Sequence, residues 1–416
     1  MKNIKDKLQR IDKDHLFLLV EIGKVAKEIN QKAYLVGGMV RDLLLGFDNL
    51  DIDIVVEDNA HLLAETLVKK FPNSHLSAKH DRFHTAKVVF NLNGTNIPID
   101  LASTREEIYE YPAALPKVNV SNLKKDLIRR DFTINALAVS LLPGDFGEVV
   151  DLFNGLNDLE NKKIKILHNQ SFIDDPTRMI RAVRFACKLG FTIEENTQKL
   201  LDDAIKSKQF DNLVEKIRGD RVKIEIRYLF NLSNIEEAIK MFFGSGIYKM
   251  ISTELKPCTD AINCVSADGL HDWLIYLALI VKDLGWNRQE KIFKNLQLTG
   301  DEIKIIRDAF NAYENLRKSN DVDSINMYRT LKGLSCESVA IVRLLVTPKL
   351  TSLIDEYIDK TSKIKLEITG QDLISMGVSQ SKQIGEILDK ILELKIKNPD
   401  MKRDDEVTVV QTYILS

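Results

Sequence analysis

The stretch LVGGMVRDLLLGFDNLDIDIVVE, Leu35–Glu57, carries two signals from which the fold can be read. Gly37-Gly38-x-x-Arg41-Asp42 is a paired-glycine turn, where backbone can approach a phosphate closely and the first N–H groups of the next helix stay unpaired. Asp51-Ile-Asp53 lies in an apolar run, and alternate residues of a strand share one face, so both carboxylates point the same way. Together they make a place for a nucleoside triphosphate and a divalent metal. Each has an ordinary reading too: a strand-to-helix turn with a surface Arg–Asp pair, and a D-x-D in a loop or capping role.

Working outward, Leu16, Leu18, Leu19, Ile22, Val25, Ala26 and Ile29 recur at helical spacing and predict a helix over 15–30. A strand is expected at Ala33–Val36 and a helix at Val40–Leu45, stopped by Gly46 with Asp48-Asn49. Further strands are expected at Ile52–Val56, Thr85–Asn91 and Ile97–Leu101, with a helix near His61–Lys70. This is a mixed α/β region ending near residue 155. Beyond a last strand-like run at Ile164–Leu167 the period becomes helical: Pro176–Leu189, Glu194–Ser207, Leu213–Leu229, Ile235–Phe243 and Leu270–Leu284. The C-terminal 250 residues or so read as all-α, with joints expected at 252–269 and 318–324.

Composition narrows the class. The chain has 416 residues, 44% hydrophobic and 29% charged, enough for several domains and without an apolar run of membrane-spanning length. The charged start MKNIKDKLQRIDKDH lacks the apolar segment of a secretory signal, so a cytoplasmic location is the expectation. Cys187, Cys258, Cys264 and Cys336 are far apart and without a C-x-x-C pair, which argues for core thiols over zinc or disulfides. A net charge of −2 lacks the usual footprint of a nucleic-acid binder, but Lys124, Lys125, Arg129 and Arg130, then Arg178, Arg181, Arg184 and Lys188, form local basic clusters.

Three more constellations stand out. Asp100, ending Ile97–Leu101, is either a third carboxylate beside Asp51 and Asp53 or a surface Asp. In KKDLIRRDFTINALAV, Arg129, Arg130 and Asp131 abut a segment that must be buried. That suits a cluster gripping phosphate or ribose, with Asn135 as a further polar contact, or equally a basic turn before a core element. In FIDDPTRMIRAVRF, Asp174 can cap a helix that has Pro176 in its first turn, and Arg178, Arg181 and Arg184 form a drifting stripe. Asp175 as acceptor and Arg178 as donor can hydrogen-bond the Watson–Crick edge of a base, or pair with each other on a solvated face. His271-Asp272 lacks the other residues of a metal phosphohydrolase site and reads as a capping or surface pair.

The order and spacing of these motifs resemble the class II tRNA nucleotidyltransferase and bacterial poly(A) polymerase family. The resemblance is carried by LVGGMVRDLLLG, LDIDIVV, IDLASTREEIYEYPAALPKV, DLIRRDFTINALAV, DLFNGLNDLENKKIKIL and FIDDPTRMIRAVRFACKLGFTIEENT, almost continuous over residues 33–197. MYRTLKGLS and ITGQDLISMGVSQSKQIGEILDKIL look like the family's helical body and tail. It implies an α+β chain: a polymerase-β-like nucleotidyltransferase head over 1–155, then an all-α neck over 156–230, body over 231–360 and tail over 361–416, the tail binding tRNA. It implies that Asp51 and Asp53 are catalytic and hold Mg2+, while Asp100 stays a candidate third catalytic carboxylate. By the same resemblance Gly38, Arg41 and Arg130 would contact the nucleotide's triphosphate or ribose, beside Gly37, Asp131 and Asn135 of the turn and cluster above, and Asp175 and Arg178, with Arg181 and Arg184 nearby, would select CTP or ATP. The family commonly has Glu-Asp where this chain has Asp174-Asp175, which leaves the part of Asp174 open.

The implied reaction is template-independent addition of C and/or A to the 3′ end of tRNA, with release of pyrophosphate. Members add CCA, CC only, A only or poly(A). Ser103–Asn122, with Arg105, Glu106 and Glu107, stands where the family has a flexible loop linked to the CTP-to-ATP switch. Its wording YEYPAALPKV looks closest to members that divide CC and A addition between two enzymes. Poly(A) polymerase fits less well, for want of a strongly basic C-terminal extension. A catalytically silent RNA-binding relative is the remote alternative, against which the intact acidic and arginine motifs speak.

Overall fold

The computed structural model describes residues 2–49, 51–114, 116–257, 272–319, 321–379 and 382–415. They form two compact units, Met1–Thr253 and Glu254–Ser416.

The first unit is built on a seven-stranded sheet. Its strands are β1 (Lys32–Val36), β2 (Ile52–Glu57), β3 (Ser74–His80), β4 (Thr85–Leu92) and β5 (Thr95–Ser103), then β8 (Leu137–Ser140) and β9 (Val149–Asp151). β6 (Arg105–Ile108) and β7 (Lys117–Val120) pair with each other as a separate ribbon. The order across the sheet is β3-β4-β5-β2-β1-β8-β9, antiparallel except for β2 beside β5. Alternation decides the faces. Ile52, Ile54, Val88, Phe90, Ile97 and Ile99 point to one side, where Leu18, Leu19 and Ile22 of helix Lys13–Glu28 and Leu63 and Leu67 of helix Ala60–Lys70 cover them. Each such side chain, fully buried, contributes roughly 1.5–3 kcal/mol. Gly23 lets the first helix approach: a Cβ there would lie 1.7 Å from the Leu141 carbonyl oxygen, so Gly23→Ala would force helix and sheet apart.

The opposite face is covered only in part. Tyr34, Val36, Val55 and Ala138 pack there against Leu123 and Leu127 of helix Leu123–Ile128, over β1, β2 and β8. On β4 and β5 the same face carries Lys87, Val89, Asn91, Asn96, Pro98, Asp100 and Ala102, half-buried to exposed.

Several elements differ from expectation. The helix after the glycine turn begins at Gly38, ends at Leu45 and closes on left-handed Gly46, with the Phe47 N–H donating to the Asp42 carbonyl at 2.8 Å. β3 was not expected, because SHLSAKH is largely exposed on both faces and shows no alternation. Ser103–Asn122, expected as a flexible loop, contains the β6–β7 ribbon. Of Ile164–Leu167 only Ile164 is in a strand, Lys163–Ile164, which pairs in parallel with Thr192–Ile193. Leu213–Leu229 divides into a 3-10 turn, Leu213–Glu215, and helix Gly219–Phe230. Asp174 does not cap the arginine-bearing helix Thr177–Leu189. It ends the short helix Ser171–Asp174, and Asp175 instead accepts from the Thr177 N–H at 3.1 Å.

The second unit is helical among the described residues. Trp273–Val281 is buried at every position and runs as its central rod; Asp272 caps it, accepting from the Leu274 N–H at 2.7 Å. His271, with the rest of 258–271, lies outside the described residues. Helix Gly300–Lys318 opens on a Thr299/Glu302 capping box, in which each side chain takes the other's orphan N–H. The 318–324 joint falls between this helix and Ser324–Leu331, inside the unit. Near the C-terminus, Ile368, Leu373, Val378, Ile391 and Val410 form a small core of their own. Beside it Glu406 accepts from Lys395 at 2.6 Å and from the Glu367 and Ile368 N–H groups, so the buried charge is fully satisfied. Cys187 is buried, as expected; Cys336 is exposed in the first turn of its helix, which corrects its reading as a core thiol, and Cys258 and Cys264 lie outside the described residues.

Candidate active site

β1 ends at Val36 and the chain turns on Gly37, whose φ of 78° and ψ of −140° suit glycine. A Cβ on Gly37 would sit 3.4 Å from Arg130 Nη1 and 3.7 Å from Asp53 Oδ2. The guanidinium, the carboxylate and a bare stretch of backbone at a helix N-terminus thus meet at one point. Arg130 is held by Asp126, which takes its Nη2 at 3.1 Å, while its buried Nε has no protein partner. Burial alone would raise the Asp126 carboxyl, but Arg130 and Arg129 outweigh it and hold it below the usual range.

Asp51 precedes β2 and Asp53 lies in it, both exposed beside buried Ile52 and Ile54. Asp100 faces Asp53 directly across the parallel β2–β5 pairing and accepts from Lys87 Nζ at 3.0 Å. Although part of Asp53 reaches solvent, protein atoms crowd its carboxyl and this desolvation pushes its pKa up; Arg130 and Lys87 pull the other way, and Asp100 and Asp51 add to the rise. Such a group gains from a cation. Among the described residues no three carboxylate, imidazole or thiol groups converge into a closed ion site. Hard carboxylates with coordination left open fit Mg2+, which is usually held by one or two carboxylates together with substrate phosphates.

From Asp53 a cleft of about 550 Å³ runs between the glycine turn and helix Thr177–Leu189. Of the residues expected at the site, Gly37, Gly38, Arg41, Asp53, Arg130, Asp131, Asn135, Asp175, Arg178, Arg181 and Arg184 line it; Asp51 and Asp100 lie beyond its edge. Its lining carries eight basic side chains against four acidic ones. The overall charge of −2 therefore conceals a local positive field.

One connected hydrogen-bond chain builds the wall of this cleft. Asn49 donates to Asp42 at 2.8 Å, and Asp42 binds Arg41 through Nε at 2.7 Å and Nη2 at 2.6 Å. Arg41 Nη1 donates to Asn135, and Asn135 to Asp131 at 2.9 Å. Arg181 then grips Asp131 Oδ2 through Nε at 2.9 Å and Nη2 at 2.6 Å. Glu225, from helix Gly219–Phe230, accepts from Arg181 at 2.6 Å and from Arg184 at 2.8 Å. Burial would raise Asp131, yet Arg181, Asn135 and the Phe132 N–H hold it below the usual range. Arg41 is buried with all three guanidinium nitrogens engaged, and its guanidinium lies 4.9 Å from the centre of the Phe185 ring.

Asp175 and Arg178 are buried, which removes the solvated-pair reading; their nearest approach is 4.0 Å. Asp175 Oδ1 accepts from the Thr177 hydroxyl at 2.6 Å, and its Oδ2 from Arg221 at 2.6 Å. Arg178 donates to the Ser171 hydroxyl at 2.7 Å and to the Arg129 carbonyl. Arg129 and Lys188 of the basic clusters and Glu107 of the 103–122 segment also line the cleft. The structure adds residues that the motifs did not single out: Tyr109, Phe185 and Arg221 line it, and Glu225 braces it. The one sequence signal for Glu225 was an acid set between Ile224 and Ile226 on an amphipathic helix.

Residues 33–165 match the poly(A) polymerase head domain, and residues 273–399 match the tRNA nucleotidyltransferase domain 2. A CCA-adding enzyme in its apo form II superposes with a TM-score of 0.83, at 34% identity over 99% of both chains. The Thermotoga maritima CCA-adding enzyme complexed with tRNA_CCA gives 0.80, at 31% identity over 99% of both chains. The A-adding tRNA nucleotidyltransferase of Geobacter sulfurreducens is 32% identical over 94% of this chain and 46% of its own length. The chain thus spans about half the length of the first curated relatives it matches.

Proposed function

The chain belongs to the tRNA nucleotidyltransferase and poly(A) polymerase family, and on that premise we propose that it adds C and/or A from CTP or ATP to the 3′ end of tRNA, releasing pyrophosphate. The observation that carries this reading is one cleft lined both by Asp53, Gly37 and Arg130, which meet at one point, and by the buried pair Asp175 and Arg178. The first group suits a triphosphate and the second a base. A four-part division into head (1–155), neck (156–230), body (231–360) and tail (361–416) goes with it, in the cytoplasm where such substrates are found.

Asp51 and Asp53 would hold Mg2+, which when bound neutralises phosphate charge and lowers the pKa of an attacking hydroxyl. The unpaired Nε of Arg130 and its Nη1 over Gly37 bind the triphosphate, with the first N–H groups of helix Gly38–Leu45 beneath. Arg41 contributes charge from below and fixes Asn135 and Asp42. Asp131 and Asn135 face the ribose side. Cytosine and adenine both present an exocyclic amine donor beside a ring-nitrogen acceptor, whereas uracil and guanine reverse this pattern. Asp175 as acceptor and Arg178 as donor therefore match C and A and reject U and G.

A second reading, A addition alone, is favoured by the Geobacter relative. Both are tested with tRNA ending at the discriminator base, at C or at CC, supplied with CTP, ATP or both. Extension of all three supports CCA synthesis. Extension of the CC-ended tRNA alone supports A addition, and extension of none overturns the family activity for this chain.

A further inference from the structure

We infer that the open face of β4 and β5, with Lys87 at its centre, is the platform on which the 3′-terminal strand of the acceptor RNA lies. The inference rests on the nucleotidyl-transfer reading above. Three observations lead to it. The first is a direction. Nucleotidyl transfer sets the attacking and leaving oxygens on opposite sides of the phosphorus. The triphosphate belongs over Gly37 and Arg130, on the cleft side of Asp53. The hydroxyl must then arrive from the far side, over Asp100, which lies outside the cleft.

The second is a row of charges. Lys87, Asp100 and Asp53 are successive cross-strand partners, Lys87 opposite Asp100 and Asp100 opposite Asp53, so all three side chains stand on one face. Lys87 is 40% exposed at its side chain. It places a cation one strand beyond Asp100, where the RNA backbone behind the terminal hydroxyl would pass.

The third is a step in the sheet. β2 begins at Ile52, opposite Ile99, while β5 continues to Thr95 paired only with β4. The β4–β5 hairpin therefore projects past Asp53 with one face uncovered, since helix Leu123–Ile128 packs over β1, β2 and β8 instead. That face offers Asn91, Asn96 and Pro98, exposed and uncharged, which suit a strand held through its backbone rather than its sequence.

The test uses the full chain and a tRNA lacking its last nucleotide. RNA affinity is measured by fluorescence anisotropy in monovalent salt with EDTA, and KM for RNA and for ATP and CTP in the extension assay. Lys87→Glu is expected to weaken RNA binding about tenfold and Lys87→Met less, each lowering the salt slope by about one, and Lys87→Met, which adds no charge beside Asp100, is expected to keep the nucleotide KM within about twofold of wild type. RNA carrying a photoreactive base at its 3′ end is expected to crosslink to peptides spanning 85–100. Unchanged RNA affinity and salt slope in both variants overturn the platform, as do crosslinks confined to 177–189 or 219–230. If the wild-type chain extends no RNA, the nucleotidyl-transfer reading fails and the platform falls with it; wild-type extension with indifferent Lys87 variants removes the platform alone.

Discussion

Two parts of the cleft lining are built on opposite electrostatic terms. On the central strand β2, Asp53 stands near Asp51 and Asp100 with its pKa pushed up, short of positive charge. At the arginine wall Asp131 is buried, doubly gripped by Arg181 and held below its usual pKa. The first arrangement stores a need for a ligand; the second is complete before any ligand arrives. Under the proposed function a cation and phosphates would gather at the first place and the base would be read beside the second, and only the wall beside the base would have to be rigid in advance.

The largest expected effect breaks the first term. Asp53→Ala should lower nucleotide incorporation by about a thousandfold or more, measured by primer extension, with the fold retained. The stability consequence runs the other way. A carboxyl whose folded pKa lies above its unfolded value makes the fold bind more protons, so stability falls as pH rises from about 4 through the raised value, and the penalty persists at neutral pH. Asp53→Asn should therefore raise the Tm in EDTA at pH 7, and the gain should vanish below the unfolded pKa. A lower Tm at pH 7 would show that the carboxylate is already satisfied within the protein.

The second effect breaks the other term. Asp131→Asn leaves Arg181 partly uncompensated against buried neighbours and should cost about 3 kcal/mol in denaturant unfolding. The folded pKa of Asp131 is depressed, so its contribution is present above the unfolded value and is lost as pH falls through the folded one. The difference between wild type and Asp131→Asn should accordingly shrink in acid, as for Asp53→Asn, but with the opposite sign of effect at pH 7. The same sign for both variants at pH 7 would undo the contrast.

The two regions were also unequally legible in the sequence. Gly37, Gly38, Asp51 and Asp53 act through local spacing, and their turn, helix and strand formed within two residues of where periodicity put them. The arginine wall depends on distant partners: Glu225 meets Arg184 and Arg181 across 41 and 44 residues of chain, which no short motif records. Burial was not legible for a related reason. From the residues alone a base-reading pair and a solvated i,i+3 pair both stayed open for Asp175 and Arg178, and only the distant partners Arg129 and Arg221, with Ser171 and Thr177, show the two groups held inside the protein. β3 and the β6–β7 ribbon escaped because their exposed, polar strands are specified by the neighbours they pair with, not by alternation of their own.

Glu225→Gln probes how far the wall's rigidity matters to selection. The amide keeps the shape but loses the charge shared by Arg181 and Arg184, a change of about 1–3 kcal/mol for hydrogen bonds to charged groups. We expect the KM for CTP and ATP to rise and discrimination against UTP and GTP to weaken, with kcat affected less. A fall in kcat at constant KM would place Glu225 in service of the carboxylate end instead.

The smallest expected effect lies where the β6–β7 ribbon meets the cleft. The Tyr109 hydroxyl donates to Glu107 Oε2 at 2.9 Å, and the other oxygen of Glu107 accepts from Arg129 at 3.0 Å. Arg129 in turn offers its carbonyl to Arg178. Burial, then the Glu107 charge, pushes the Tyr109 phenol pKa up, so the group stays a neutral donor throughout the working pH range. Tyr109→Phe removes one hydrogen bond and leaves Glu107 its arginine partner, so the cost should be about 1 kcal/mol or less. If Arg178 is held by its own bonds to Ser171 and Arg129, base selection will not change. If the ribbon helps to set the base-reading end, the ratio of ATP to CTP incorporation will shift while total stability hardly moves, and the prebuilt wall will have to be drawn to include Glu107 and Tyr109.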